Sequence, residues 1–172
     1  MNGNVFLYYG EELGMKGSGK DENKRAPMYW SKDGNAEGMC KGPADMDDFR
    51  MKFDSLEEQQ EDPDSIYNYV KQVIRVRNQN PVIARGTTAY LEQYSGEQCF
   101  ALTRSYEGSN LLLLGNTSAE AVSVDLTGLT VGGTTAEELV LLGELYTGEE
   151  TAERAGTVVT LPAYSILILG EE

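Results

Sequence analysis

Two adjacent carboxylates, Glu11 and Glu12, follow an apolar run and a glycine near the start of the chain. A carboxylate pair can act as acid and base across one bond, but neighbours at a strand end point to opposite sides. Glu11 and Glu12 therefore cannot bracket a single bond, and a rim hydrogen bond or a loop anchor is the reading for them. Asp21 and Arg25, four residues apart, read on their own as an ion pair that organises a loop. A third group, Asp45, Asp47 and Asp48 with Asp33, Asn35 and Glu37, has the ligand types of a calcium site. It lacks the alternating spacing and closing Glu of a calcium loop, so a solvated loop is expected and no metal. The chain has no histidine, which removes Ser-His-Asp and Cys-His catalysis, His-liganded zinc and the usual near-neutral acid/base group. Cys40 and Cys99 lie in different parts of the sequence, and two cysteines specify no disulfide framework.

These groups sit in a chain of 172 residues, 40% hydrophobic and 24% charged, which is enough for one or two packed domains. The net charge of -14 repels phosphate backbones and anionic membranes. Nucleic-acid and membrane partners are therefore not expected. No run approaches the ~18 apolar residues of a membrane span, and no cofactor is expected.

The elements that must position these residues change character along the chain. Asn4 to Gly10 is a continuous apolar and aromatic run ended by glycine, the pattern of a strand buried on both faces of a parallel sheet. From Glu11 to about Gln60 glycines interrupt a polar stretch without period, predicting loops with a turn of helix around Asp47 to Phe53. Pro63 to Asn78 reads as a helix. Pro63 fits the first turn, and Ile66, Tyr69, Val70, Val73 and Ile74 form one apolar stripe that Pro81 ends. Beyond Pro81, seven short β-prone runs are punctuated by glycines: Thr87–Glu92, Cys99–Ser105, Asn110–Asn116, Ala121–Leu126, Leu139–Leu145, Thr157–Leu161 and Ser165–Leu169. Their spacing predicts an antiparallel sandwich. A lone doubly buried strand needs parallel neighbours, so the first third reads as the last strand-loop-helix unit of a larger α/β body.

Four strings point to one family. Val5-Phe6-Leu7-Tyr8-Tyr9-Gly10-Glu11-Glu12-Leu13-Gly14-Met15 resembles the eighth strand of the (β/α)8 barrel in the α-amylase family, glycoside hydrolase family thirteen. Asp21-Glu22-Asn23-Lys24-Arg25-Ala26-Pro27-Met28-Tyr29-Trp30 resembles the segment that follows in oligo-1,6-glucosidase and neopullulanase. Ser55 to Gln60 and Asp62 to Pro81 resemble the entry into the eighth helix. Thr160-Leu161-Pro162-Ala163-Tyr164-Ser165-Ile166-Leu167-Ile168-Leu169 resembles the closing strands of the family's β-sandwich, domain C.

The resemblance implies an α+β, mainly β chain: a barrel remnant over residues 1–80 and an antiparallel β-sandwich over 81–172. It implies that the family's three catalytic carboxylates, which follow the fourth, fifth and seventh strands, have no counterpart here. The chain alone is then expected to cleave nothing, the sandwich packing on and stabilising the barrel of a longer enzyme. The family's retaining reaction needs two carboxyl groups about 5 Å apart across the bond. What carries over is substrate contact in the complete enzyme: Asp21 and Arg25 match positions that bind a glucose unit two sites from the cleavage point, and Glu11 stands at the rim. Their types fit, a carboxylate accepting sugar hydroxyls and a guanidinium donating in a fixed fork. The implied ligand is an α-glucan or maltooligosaccharide. Trp30 reads as a core or platform residue. Two other readings stand beside this one: a carbohydrate-binding sandwich using Tyr90, Tyr94, Phe100, Tyr106, Tyr146 or Tyr164, and an interaction protein. An exposed apolar strand is an open template, so Val5 to Tyr9 is expected to self-associate or pair with a partner's sheet.

Overall fold

The computed structural model describes residues 4–171. They form two compact units that divide between Lys71 and Gln72.

The first unit is mostly irregular. Val5 to Tyr8 form no strand, and Val5 and Phe6 are 77% and 89% exposed. This corrects the doubly buried strand expected there: a strand is completed by the hydrogen bonds and cover of its neighbours, and no strand among the described residues pairs with it. A single 3₁₀ turn, Glu11–Leu13, sits between Gly10 and Gly14, both at positive φ. It buries Leu13. Gly14 could not be replaced cheaply, since a Cβ there would meet Phe53 and Ile66 at 2.6 and 2.7 Å. A second 3₁₀ helix spans Asp21–Arg25.

Helix α1, Leu56–Glu61, was not expected from periodicity; its signal is the capping box Ser55-x-x-Glu58. The helix foreseen at Asp47 to Phe53 is absent. Asp47 spends its amide and carboxylate on Asn23, and the Met51 sulfur accepts the Lys16 N–H at 3.3 Å, so the segment is held from outside. Helix α2 runs over Ile66–Gln79, starting later than Pro63. The residues before it close a turn, with Ser65 N–H on the Asp62 carbonyl and Asp64 N–H on the Asp62 side chain. Within the predicted stripe Ile74 is 46% exposed, and Val76 is the helical residue that is buried.

The second unit opens with the end of α2. Pro81 does end that helix, and it also starts α3, Pro81–Arg85, at the first-turn position where a missing N–H costs nothing. Ten strands follow: β1 Thr87–Tyr90, β2 Cys99–Tyr106, β3 Ser109–Asn116, β4 Val122–Asp125, β5 Thr130–Val131, β6 Thr134–Thr135, β7 Val140–Leu145, β8 Glu153–Ala155, β9 Val158–Leu161 and β10 Ile166–Gly170. All ladders are antiparallel. They build a five-stranded sheet in the order β1-β2-β3-β10-β7, a three-stranded sheet β4-β9-β8, and the hairpin β5-β6. The seven β-prone runs all became strands. The hairpin and β8 went unforeseen, although Gly132-Gly133, both at positive φ, is the two-residue turn that a hairpin favours.

One apolar cluster takes Ala101, Leu112, Leu114, Leu167 and Leu169 from the larger sheet and Val124, Val159 and Leu161 from the smaller. In β4 the alternation Val122-Ser123-Val124-Asp125 buries Val124 and exposes Ser123 and Asp125. Gly115 in β3 is required by packing, because a Cβ there would fall 2.1 Å from the Phe100 ring. The turn into β10 is pinned by buried Asn116, whose side-chain amide donates to the carbonyls of Glu120, Leu161 and Pro162.

Candidate functional site

The first unit holds the residues singled out in the sequence. Gly10, in the left-handed region, turns the chain after Tyr9, and the two glutamate side chains that follow fold back onto earlier backbone amides. Glu11 accepts the Tyr8 N–H at 3.1 Å, and Glu12 accepts the Gly10 N–H at 2.8 Å. Each carboxylate is thus tied to its own loop backbone, as an anchor would be.

The 3₁₀ helix Asp21–Arg25 supplies the other wall. Arg25 Nη2 lies 3.2 Å from Asp21 Oδ2 and 3.6 Å from Glu22 Oε1, one guanidinium shared by two carboxylates on an exposed face. The Tyr9 hydroxyl donates to the Ala26 carbonyl at 3.0 Å and links this helix to the segment before Gly10. Desolvation first, then the charge of the neighbouring Tyr8 hydroxyl and its hydrogen bond, hold the Tyr9 hydroxyl above its ordinary ionisation range. Tyr9 therefore stays a neutral donor.

Between these walls lies an open depression of about 520 Å³. Glu11, Asp21 and Arg25 all line it, with Tyr8, Tyr9 and Lys16. The three site residues expected from sequence thus share one cavity, which also offers two aromatic faces and both signs of charge. Such a set suits a neutral, hydroxyl-rich ring: carboxylates accept, guanidinium and ammonium donate, and an aromatic face covers apolar C–H edges. The sequence pattern marks Tyr8 and Tyr9 only as strand residues, and it carries no signal for Asn23, which also lines the depression. Trp30 is 44% exposed and does not line this depression.

Within the Asp21–Arg25 helix, Asn23 also borders the depression but is only 5% exposed. Its side-chain amide donates to Ser18 O and to Asp47 Oδ2, both at 2.8 Å, while its Oδ1 accepts the Asp47 N–H at 2.9 Å. Lys20 Nζ sits 2.7 Å from the other Asp47 oxygen. Lys20 first, and Asn23 next, hold the Asp47 carboxyl below its ordinary range. Asp47, read from sequence as part of a solvated acidic loop, is therefore engaged. Among the described residues no group of three or more His, Cys, Asp or Glu side chains is placed to hold a metal ion.

In the second unit the aromatic residues divide. Tyr90 and Tyr164 are exposed, Tyr94 packs against the core with its hydroxyl on the Thr127 carbonyl, and the Tyr146 hydroxyl donates to Glu144 at 2.5 Å. Arg104 is buried, with Nε donating to the Val82 carbonyl at 3.3 Å and Nη1 to Thr88 Oγ1 at 2.5 Å.

Comparison with known proteins adds an independent observation. Residues 1–86 match the family model described as "Alpha amylase, catalytic domain". A curated relative, "Alpha-amylase 3" of Dictyoglomus thermophilum, is 32% identical over 81 residues, which is 47% of this chain and 16% of that protein. Among solved structures, "Eubacterium rectale Amy13B" is 42% identical with a TM-score of 0.91, covering 100% of this chain and 32% of its own. The α-amylase from H. orenii is 28% identical with a TM-score of 0.77, over 100% of this chain and 33% of its own. The chain spans about a sixth of the length of that curated relative and about a third of these solved chains.

Proposed function

The chain belongs to the α-amylase family of glycoside hydrolases, and from that premise we propose that it supplies the end of the catalytic domain and the following β region of a longer α-glucan-acting enzyme. In this reading Asp21 and Arg25 hold one glucose unit of a maltooligosaccharide, with Glu11 at the rim and the Tyr8–Tyr9 pair beneath. In sequence, Asp21 to Trp30 resembles the segment of oligo-1,6-glucosidase and neopullulanase, and that resemblance supports the reading. The observation that carries the reading is that Glu11, Asp21 and Arg25 line one depression. The antiparallel sheets of the second unit, which share one apolar cluster, act as a non-catalytic β-sandwich that stabilises the barrel.

The bond-breaking carboxylates are not assigned to this chain. Glu11 and Glu12 are spent on backbone amides, and Asp21 is spent on Arg25. Retaining hydrolysis asks for two free carboxyl groups facing each other across the scissile bond. Incubation of the purified chain with a nitrophenyl maltoside is the direct test. Release above the buffer rate, abolished by substitution of the chain's own carboxylates, would overturn the non-catalytic assignment. Titration with maltotetraose tests the sugar contact: shifts at Glu11, Asp21 and Arg25 support it, and their absence at millimolar ligand rejects it.

A second reading rests on a different observation, the exposure of Val5, Phe6, Leu7, Tyr8 and Tyr9. Such a run in water is a template for strand pairing, so the separate chain self-associates through it. Sedimentation should show dimers or larger species that Phe6→Ser and Leu7→Ser return to monomers; a monomeric wild-type chain rejects this.

A further inference from the structure

The Asp21–Arg25 helix is only five residues long and is irregular on both sides, so its own backbone cannot fix which way its side chains face. Residues two apart in a helix do not share a face. Asn23 sits midway between Asp21 and Arg25; at three residues per turn the three side chains point about 120° apart, so burying Asn23 sends the other two to the remaining sides. The three Asn23 bonds are directional: two from one amide nitrogen, to the Ser18 carbonyl and Asp47 Oδ2, and one into its oxygen from the Asp47 amide. An asparagine satisfied at both ends of its amide can sit in only one orientation. Lys20, on the residue before the helix, fixes the second Asp47 oxygen and closes the ring of contacts. A salt bridge alone would tolerate rotation, whereas this reciprocal pair does not.

We propose that Asn23, through its reciprocal pair with Asp47, is the positioning residue that presents Asp21 and Arg25 to the depression. This rests on the reading of Asp21 and Arg25 as sugar contacts. Asn23 also lines the depression, but it is 5% exposed with its amide spent on Ser18 and Asp47, so its part is to set the rotation of the turn.

The test uses the isotope-labelled 172-residue chain with the Asn23→Ala variant and the double variant Asn23→Asp, Asp47→Asn. In the double variant the carboxylate at position 23 accepts both the backbone and the side-chain amide of position 47, so the reciprocal pair is kept, while the bond to Ser18 and the ion pair with Lys20 are given up. Amide signals of Leu13 and Gln59, in the same unit but outside the Asn23–Asp47 pair, report whether each variant keeps that unit folded. Asn23→Ala should speed exchange of the Asp47 amide by about tenfold, the loss of one to two buried hydrogen bonds. It should also move the Arg25 guanidinium signal to that of an unpaired arginine and abolish the maltotetraose-induced shifts at Asp21 and Arg25. The double variant should restore part of all three, since two of the four contacts around positions 23 and 47 survive the exchange. If Asn23→Ala loses Asp47 protection while the Arg25 signal and the maltotetraose response stay as in the unaltered chain, the pair only fills the loop and the proposal falls. If the double variant behaves like Asn23→Ala, the reciprocal geometry is irrelevant and the proposal also falls. A wild-type chain that ignores maltotetraose, yet shows the Arg25 change on Asn23→Ala, rejects the sugar reading and keeps the positioning role.

Discussion

The two units are held by different physics. Within residues 4–71 the buried hydrophobic side chains among the described residues are Leu13 and Ala26, against the buried polar Asn23, Ser55, Gln59 and Ser65. From residue 72 onward the balance inverts, with leucines and valines from two sheets closing one cluster. The polar unit is organised by hubs. Gln59 donates to the carbonyls of Leu13 and Asp54 at 3.0 and 2.7 Å, and its Oε1 accepts the Tyr67 N–H at 3.0 Å. The Gln59 carbonyl in turn takes the Ser65 hydroxyl and the Asn68 amide. A hydrophobic cluster gains from area and tolerates rearrangement; a polar hub gains little net and loses heavily when one partner goes. The candidate site lies in the unit where orientation, not area, is the stabilising quantity, and orientation is what a sugar site needs.

That contrast can be broken by experiment. Its largest expected effect is in the apolar unit: Leu112→Ala or Leu114→Ala, both fully buried, should cost about 2–5 kcal/mol in urea unfolding followed by circular dichroism. A much smaller loss would mean the sheets do not depend on that cluster. Next is the hub. Gln59→Leu keeps volume and adds apolar area, so a unit held by burial would tolerate it. We expect instead about 2–3 kcal/mol of lost stability for residues 4–71, from two carbonyls and one amide left without their partner, read by amide exchange across Ser55 to Asn68.

Smaller still is the cap. Ser55→Ala removes half of the capping box and should cost about 1 kcal/mol, visible as faster exchange at the start of α1.

The smallest effects are electrostatic and differ in sign with pH. Lys32, and then the Ser55 amide and hydroxyl, hold the Glu58 carboxyl below its ordinary 4.5. A lowered acid contributes stability above its unfolded value and loses it as pH falls through the folded one. Protection of α1 should therefore decline below about pH 4.5, and Lys32→Ala should shift that decline upward. In the second unit burial first, and Glu144 next, push the Tyr146 hydroxyl from 10.0 to about 12. The unfolded chain ionises first there, so stability contributed by this group is lost as pH rises from about 10 to 12. Tyrosinate absorbance that rises at pH 10 without any lag for Tyr146 would contradict that environment.

The β unit was readable because its signals are local and periodic. Alternation in Val122 to Leu126, the leucine run of β3 and the glycines between strands each mark one element without reference to any other. Helix α2 was legible for the same reason, its start slipping only because a turn at Asp62 to Ser65 took the residues before it. Glu11, Asp21 and Arg25 were legible only by resemblance; no spacing between them announces a shared cavity. The largest departure lies at the start of the chain. The apolar run Val5 to Tyr9 has strand composition, but pairing is a property of two segments, and the described residues hold no second one.

Sequence by itself therefore determined the ladder of short antiparallel strands, the helix before them and the kinship with α-amylases. It also supplied Glu11, Asp21 and Arg25, the residues proposed to contact a sugar. Only the tertiary structure decided that Asn23 pairs with Asp47, 24 positions away, and that Gln59 reaches Leu13 across 46. A periodic pattern records which face of one element is buried, and that is written locally. A single directional hydrogen bond between distant polar side chains leaves no periodic trace, so the orientation of the candidate site had to come from the fold.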